Sequence, residues 1–261
     1  MRGASLMPRP DLSVILPAYN CATVIEASVE ETLRWCRGHG VNGEIIVVDD
    51  GSNDSTHGMV PQGPGIQTLR MEKNRGKGAA VRAGMLRATG DTCLYTDADL
   101  PYGTNSFTSA ISAIVQEGYH AAIGDRTLPG SSYHHPALPR RLVSKGATWT
   151  IRTFITEGLY DTQCGLKAFR SDVAHELFKL TRIDGFAGDV EVVYLLLKHQ
   201  LRFKRIPVVQ IRDTPSTIRI ARDSLRAGVD ILALRLMGRA SAGRPSKREP
   251  PSLDSTNNID S

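Results

Sequence analysis

The chain has 261 residues, of which 41% are hydrophobic, and 32 Lys and Arg outnumber 27 Asp and Glu to give a formal net charge of +5. This composition excludes collagen-like, wholly disordered and disulfide-scaffold proteins. The 4 cysteines are irregularly spaced and form no C-x-x-C pair. We therefore expect free thiols in a reducing compartment and no zinc site.

Apolar segments that direct a chain to a membrane are not evident. No apolar run follows Arg2 before Pro8, so we expect no secretory signal. The longest apolar stretches, such as 192–197 and 229–234, are far shorter than the roughly 20 residues of a membrane-spanning helix. We predict a cytoplasmic protein, or one that lies peripherally on the cytoplasmic face of a membrane.

Short apolar runs alternate with segments of helical periodicity from residue 11 onward. The first half predicts, in chain order, a strand at 12–16 that ends at Pro17, a helix at 24–36, strands at 44–48 and 66–71, a helix at 79–88, a strand at 91–95, a helix at 104–117 and an extended segment at 119–124. Strands that alternate with helices form parallel sheets. We predict an α/β fold, a single domain with a mostly parallel sheet flanked by helices.

The second half is more basic. It predicts, in chain order, helices at 138–158, 172–180 and 189–199, an extended segment at 203–211 and a final amphipathic helix at 216–237. Arg141, Lys145 and Arg152 are 4 and 7 residues apart and share one helical face. We expect a flexible N-terminus at 1–10 and a disordered tail at 238–261, since the tail has almost no apolar residues.

Polar residues follow three predicted strands, at 19–20, 49–50 and 97–99. Ligands of parallel sheets bind beyond the carboxyl ends of the strands. Residues i and i+2 of an extended segment point to the same side, so Asp97 and Asp99 are able to reach one cation. Mg²⁺ and Mn²⁺ bind one or two carboxylates plus substrate phosphates. We predict a metal site here; an acidic turn that caps the next helix is the alternative.

The segment NRGKG at 74–78 opens a predicted helix with two glycines and two cations. Glycines allow the backbone to approach a phosphate, and a helix N-terminus attracts anions. The segment is not a Walker P-loop, and Val81 stands where a dinucleotide fingerprint has its third glycine. A phosphate contact and a flexible loop before a helix both remain open.

Four motifs in this order resemble family-2 nucleotide-sugar glycosyltransferases, which have the Rossmann-like GT-A fold. They are LPAYN at 16–20, VVDDGS at 47–52, NRGKG at 74–78 and DAD at 97–99. DTQCGLK at 161–167, DVE at 189–191 and the basic final helix are similar to the branch of dolichyl-phosphate glucosyltransferases and polyprenyl-phosphate sugar synthases. The resemblance covers roughly residues 11–237 and implies a nucleotide-sugar half at 11–124 and an acceptor half at 125–237.

The resemblance also implies site residues. Those that would bind the nucleotide sugar are Pro17, Tyr19, Asn20, Asp49, Asp50, Gly76, Lys77, Gly78, Asp97, Ala98 and Asp99. Asp50 would contact the base, and Asp97 and Asp99 would hold Mg²⁺ or Mn²⁺ against the diphosphate. Asp161 matches the catalytic base of related inverting enzymes. We expect the acceptor phosphate to lie against Arg126, Arg141 and Lys145.

The role of Asp161 depends on the acceptor. A sugar hydroxyl needs a general base, whereas a lipid phosphate, with a second pKa of about 6, is already mostly ionised at neutral pH. With a phosphate acceptor, Asp161 would orient groups or balance charge. Asp189 and Glu191 are an alternative pair of bases, or a cap of the helix that follows. The chain departs from many relatives in having Pro101 at a usually polar position and in lacking their membrane span.

These residues predict an inverting, metal-dependent transfer of glucose from UDP-glucose to dolichyl or another polyprenyl phosphate. The first alternative is the same domain acting on a soluble acceptor. The second is a non-catalytic nucleotide- or nucleic-acid-binding module. We predict no nucleic-acid partner, because only 6% of residues are aromatic and no basic and aromatic platform is evident. A nucleotidyltransferase is disfavoured because no Gly-rich phosphate loop follows the first strand.

Overall fold

The apolar run that begins at Leu12 forms the first strand of a mixed seven-stranded sheet with the order β3-β2-β1-β4-β6-β5-β7. The computed structural model describes residues 9–132 and 161–212. The strands are β1 (Leu12–Ala18), β2 (Gly43–Asp49), β3 (Ile66–Arg70), β4 (Thr92–Tyr95), β5 (Ala121–Asp125), β6 (Lys167–Arg170) and β7 (Phe203–Pro207). The helices within the described residues are α1 (Ile25–Gly38), α2 (Lys77–Arg87), α3 (Asn105–Val115), α4 (Ser171–Leu180) and α5 (Gly188–Lys198), with a short 3-10 helix at Thr56–Met59.

Most strand pairs are parallel, which confirms the predicted α/β class. β1 pairs in parallel with β2 and β4, β2 with β3, and β5 with β7. β6 is antiparallel to β4 and β5, between which it is inserted. The predicted halves at 11–124 and 125–237 therefore share one sheet, because a strand of the second half lies between two strands of the first.

The first strand is longer than predicted. It continues through Pro17 to Ala18, and Pro17 pairs with Val48 of β2. On the other side of β1, the pairing with β4 ends at Ile15. The nitrogen of Pro17 faces the side that β4 has already left, so its missing N–H breaks no ladder hydrogen bond.

Two apolar layers hold the sheet between its helices, because side chains of a strand alternate between its faces. Leu12, Val14 and Leu16 are buried in the layer that contains apolar residues of α1 and α3. Ile15 points the other way, into the layer that contains apolar residues of α2, α4 and α5. The packing therefore fixes β1 from both faces and positions the loop that follows it.

Several predictions concern residues outside the described ranges. They are the helices at 138–158 and 216–237, most of the N-terminus and the tail at 238–261. Within residues 9–132 and 161–212, no helix is long and apolar enough to cross a membrane.

A buried carboxylate joins strands and a helix end at the amino-terminal edge of the sheet. Glu44 is 5% exposed and accepts hydrogen bonds from Ser13 Oγ at 2.5 Å and from Gln67 Nε2 at 2.9 Å. It also accepts from the backbone N–H and the hydroxyl of Thr89, at 2.6 and 2.9 Å. These donors lose their acceptor if the carboxylate is removed.

We expect Glu44→Ala to lower the free energy of unfolding by about 3 kcal/mol, because buried donors to a charged group would be left unpaired. Urea unfolding followed by circular dichroism measures the change. Glu44→Gln keeps one carbonyl acceptor and should lose less. Equal stability of Glu44→Ala and the wild type would contradict this role.

Candidate active site

Three polar segments meet at the carboxyl-terminal edge of the sheet, as predicted, because β2, β1 and β4 are adjacent and parallel. The backbone N–H of Asn20 donates to Ser52 Oγ at 2.9 Å, and the N–H of Asn53 donates to Asn20 Oδ1 at 3.0 Å. Asn20 has a φ of 54°, in the left-handed region that asparagine tolerates. The loops after β1 and β2 are thereby tied together beside residues 97–99.

Asp97 and Asp99 directly follow β4. Burial and the negative charge of Asp97 raise the pKa of Asp99 above its ordinary value. Leu100 turns the chain with a φ of 48°, and its N–H donates to the Asp97 carbonyl at 3.0 Å. The pair therefore concentrates negative charge on a tight turn at the edge of the sheet.

This pair fits a divalent cation. No group of three or more His, Cys, Asp or Glu side chains able to hold a metal occurs in the part of the chain that is described. Mg²⁺ characteristically binds one or two carboxylates and completes its shell with water and substrate phosphates. Two neighbouring carboxylates that destabilise each other's charge are consistent with such a site.

Lys77 lies between two carboxylates. It begins α2, and its Nζ is 2.7 Å from Asp97 Oδ1 and 3.0 Å from Asp189 Oδ2. Burial alone would lower the pKa of Lys77, but the charges of Asp189 and Asp97 raise it above the ordinary value. The side chain therefore carries a stable positive charge beside Asp97.

Asp189 is held by three donors. Besides Lys77, its Oδ1 accepts from Lys167 Nζ at 2.6 Å and from the Tyr95 hydroxyl at 2.7 Å. Burial would raise the pKa of Asp189, but Lys167 and Lys77 lower it to about 2. Glu191, the other alternative base, accepts backbone N–H groups of Arg182 and Ile183. Both carboxylates are engaged within the protein, which favours structural roles for them.

Asp161 and Arg126 form a buried bidentate pair. Arg126 Nε and Nη2 each donate to the Asp161 carboxylate at 2.7 Å, and the Arg126 backbone N–H donates at 2.9 Å. Burial would raise the pKa of Asp161, but these hydrogen bonds and the guanidinium charge lower it below the usual range. A carboxylate with a lowered pKa is a weak base. The geometry favours orientation and charge balance over proton removal.

Two carboxylates at the carboxyl end of β2, Asp49 and Asp50, support the loops. Asp49 is 0% exposed and its Oδ1 accepts from the Ser52 N–H at 2.9 Å. Asp50 accepts from the N–H groups of Arg75 and Gly76, at 2.8 and 2.7 Å. Asp49 is thus buried beneath the turn that follows β2. Asp50 fixes the loop that leads into α2. Their predicted contacts with a nucleotide remain predictions.

The glycines of NRGKG pack closely against a neighbouring loop, and their predicted approach to a phosphate remains a prediction. A Cβ at Gly76 would lie 2.5 Å from the Asp184 carbonyl oxygen, and one at Gly78 would lie 2.4 Å from that of Ile183. The Asp184 carbonyl also accepts the Ala79 N–H at 3.1 Å. Both glycines make room for the loop between α4 and α5. The segment is packed against main chain, so it is not the flexible loop that the sequence left open as an alternative.

Comparison with known proteins identifies the family of this chain. The family model "Glycosyl transferase family 2" matches residues 13–178. The chain belongs to glycosyl transferase family 2. The fold is accordingly GT-A, and the protein is a glycosyltransferase, as the motifs predicted.

Relatives of this glycosyltransferase include enzymes named dolichyl-phosphate beta-glucosyltransferase. The one from Drosophila melanogaster is 31% identical over 225 residues, which cover 77% of this chain and 67% of that protein. The one from Dictyostelium discoideum is 28% identical over 240 residues, which cover 86% of this chain and 73% of that protein.

Solved structures share the fold. Mannosyl-3-phosphoglycerate synthase from Rubrobacter xylanophilus aligns with a TM-score of 0.68 and 21% identity, over 89% of this chain and 77% of that one. Glucosyl-3-phosphoglycerate synthase from Mycobacterium tuberculosis, in complex with Mn²⁺, uridine-diphosphate-glucose and phosphoglyceric acid, aligns with a TM-score of 0.64 and 20% identity, over 87% and 79%.

Sequence reasoning missed some groups that shape the site of this glycosyltransferase. Arg212 donates from Nη1 to the carbonyl oxygens of Asp99 and Leu100, at 3.3 and 3.2 Å, and it also pairs with Glu31. It follows β7 and lies just beyond the segment predicted as extended at 203–211, so no motif marks it. Lys167 lies inside the DTQCGLK motif, but the resemblance implied no role for this residue.

Of the three predicted acceptor-binding residues, the structure describes only Arg126. Arg126 is held by Asp161, as above. Arg141 and Lys145 lie outside the described residues, so their contact with an acceptor remains a prediction.

Gly165 lies directly against the Asp97 carboxylate. A Cβ at this position would be 2.0 Å from Asp97 Oδ2 and 2.6 Å from its Cγ. We expect Gly165→Ala to displace this carboxylate and to weaken Mn²⁺ binding in the presence of UDP by about tenfold or more, the scale of outer-shell substitutions at metal sites. Electron paramagnetic resonance of free Mn²⁺ measures the affinity.

Gly38→Ala is the matched control for Gly165→Ala, because a Cβ at Gly38 would meet no atom within 4 Å. It should bind Mn²⁺ as the wild type does. Wild-type Mn²⁺ affinity in a folded Gly165→Ala variant would show that Asp97 has room to move without loss of the site.

Proposed function

We propose that this glycosyltransferase transfers glucose from UDP-glucose, with inversion, to dolichyl or another polyprenyl phosphate. The observation that carries the proposal is the contact between Gly165 and Asp97. It brings the segment that holds the Arg126–Asp161 pair against the acidic pair of Asp97 and Asp99. A cation site for a donor diphosphate and a guanidinium for an acceptor phosphate would thus belong to one site.

Asp97 and Asp99 would hold Mg²⁺ or Mn²⁺. When bound, the metal supplies positive charge to the diphosphate as it leaves. The Lys77 ammonium adds a positive charge beside Asp97, and its ion pair with Asp189 orients it. The Mn²⁺ and UDP-glucose in the structure of the M. tuberculosis neighbour support this assignment.

The acceptor phosphate would bind the Arg126 guanidinium. Guanidinium groups suit phosphate because they donate in a planar fork. Asp161 holds the guanidinium in place by accepting hydrogen bonds from its Nε and Nη2, and it balances the charge. Since the phosphate is already ionised near neutral pH, its attack on the sugar needs no protein base. Asp161 is then a positioning residue.

The acceptor class rests on the relatives named dolichyl-phosphate beta-glucosyltransferase. A β-linked product from the α-linked UDP-glucose requires inversion, which a single attack from the face opposite the diphosphate provides. A lipid acceptor implies that the enzyme works at a membrane surface, and we propose a peripheral association with the cytoplasmic face. The basic residues Arg141 and Lys145 would contribute to it.

The test is an incubation of the full chain with UDP-[¹⁴C]glucose, Mg²⁺ and dolichyl phosphate in lipid vesicles. We expect label to enter the organic phase, and EDTA to abolish the transfer. GDP-[¹⁴C]mannose serves as the alternative donor. Label that remains entirely in the aqueous phase would contradict the lipid acceptor.

A soluble phosphorylated acceptor is the second candidate. The structural neighbours are named as synthases that glycosylate 3-phosphoglycerate, and they share the fold over most of this chain. The Arg126 guanidinium, held by Asp161, would bind a phosphate whether or not a lipid tail follows it. Transfer of label to 3-phosphoglycerate, and none to dolichyl phosphate, would favour this candidate.

A further inference from the structure

We propose that Lys77 is an internal cation that occupies Asp97 until the donor diphosphate arrives, so that the divalent metal binds tightly only together with the nucleotide. The inference rests on the proposed role of Asp97 and Asp99 as metal ligands. It assigns Lys77 a function in the free enzyme, in addition to its predicted place near the nucleotide.

The geometry of Lys77 is that of a bridging cation. Its Nζ lies 2.7 Å from Asp97 Oδ1 and 3.0 Å from Asp189 Oδ2, and its side chain is only 13% exposed. An ammonium in contact with a carboxylate oxygen competes with any metal for that oxygen. It also repels a divalent cation at close range.

Asp189 has a second cationic partner besides Lys77. Lys167, which is 0% exposed, donates to Asp189 Oδ1 at 2.6 Å, and Tyr95 donates to the same oxygen at 2.7 Å. Lys77 is therefore the additional cation of this cluster. It is able to leave Asp97 while Asp189 remains paired with Lys167.

The backbone at the base of the Lys77 side chain is held by its neighbours. The segment before α2 is held by Asp50, and the start of the helix packs against the main chain of Ile183 and Asp184. The four-carbon stem of a lysine lets its ammonium reorient without backbone movement. A bound diphosphate offers the ammonium new oxygen partners, which frees Asp97 for the metal.

The experiment measures Mn²⁺ binding to the full chain by electron paramagnetic resonance, without nucleotide and with UDP. In the wild type we expect weak binding alone and much tighter binding with UDP. Lys77→Met should tighten nucleotide-free binding at least about tenfold, because the competing charge at 2.7 Å is gone. The increase in Mn²⁺ affinity that UDP causes should then be smaller in Lys77→Met than in the wild type.

Three variants complete the design. Lys77→Arg keeps the charge and should retain weak nucleotide-free binding. Lys77→Gln removes the charge but keeps a donor, and it replaces Lys77→Met if that variant fails to fold. Arg75→Met is the matched control, since it removes an equal charge from a side chain that pairs with Asp184. It should leave nucleotide-free Mn²⁺ binding unchanged.

Unchanged or weaker nucleotide-free Mn²⁺ binding in folded Lys77→Met and Lys77→Gln, beside UDP-dependent binding in the wild type, would overturn the inference and leave the proposed function intact. An equal gain in Arg75→Met would also overturn it, because the effect would then be one of overall charge. Wild-type protein that binds no Mn²⁺ even with UDP would contradict the metal site itself, and with it both proposals.

Discussion

Asp99→Asn should lower kcat for glucose transfer at least about a hundredfold, because substitutions merely outside a metal's ligand shell already cost up to that much. The change preserves shape but removes one of two charges that would hold the cation. Burial and Asp97 already raise the pKa of Asp99, and a metal would relieve this repulsion. Initial rates of label transfer over a range of Mn²⁺ concentrations at saturating UDP-glucose measure the effect.

Asp91→Asn is the control for that experiment. Asp91 lies before β4, at the opposite end of the strand, and its exposed side chain pairs with Arg9 at 3.1 Å. This variant should retain the wild-type rate and metal dependence. If Asp99→Asn kept most of its activity at every Mn²⁺ concentration, the metal would have to be held elsewhere.

Asp161→Asn should lower kcat/KM for dolichyl phosphate about tenfold to a hundredfold, the effect expected of a positioning residue. The variant loosens the Arg126 guanidinium, which in the wild type donates to both carboxylate oxygens at 2.7 Å. With a hydroxyl acceptor, whose proton must be removed, the same change should abolish transfer. Rates with the two acceptor types, measured side by side, separate the two roles.

The pH profile tests the same assignment independently. If the acceptor phosphate attacks as the dianion, kcat/KM falls as pH drops below about 6, since the phosphate becomes protonated. Arg126 holds the pKa of Asp161 below its usual range, so protonation of Asp161 would act only at lower pH. Asp161→Asn should therefore keep the fall near pH 6. Complete loss of transfer to dolichyl phosphate would instead identify Asp161 as an essential base.

Local sequence patterns predicted much of the fold. Apolar runs and helical spacing depend on residues close together in the chain. They located the described helices and strands to within a few residues, except for β6, which was not predicted. The adjacency of 19–20, 49–50 and 97–99 followed from one rule, that carboxyl ends of neighbouring parallel strands share an edge. Pro17 shows the limit, because its place in β1 depends on where the neighbouring strand β4 ends.

Contacts between distant residues were not predictable in this way. Lys77 and Asp189 are 112 residues apart, and Arg126 and Asp161 are 35 apart, yet each pair is in direct contact. Each residue attracted notice through its motif, but nothing in a motif states which partner lies opposite. The antiparallel insertion of β6 brings Gly165 and Lys167 to the site, and no local pattern encodes that insertion.

The sequence by itself determined the α/β class, the edge of the sheet at which the polar segments meet and the acidic pair of Asp97 and Asp99, because these follow from local periodicity and spacing. Only the tertiary structure decided how the charges are partnered. It placed Lys77 on Asp97, tied Asp161 to Arg126 and packed the NRGKG glycines against the α4–α5 loop. The physical reason is that the behaviour of a buried charge depends on its spatial neighbours, which the order of strands in the sheet selects.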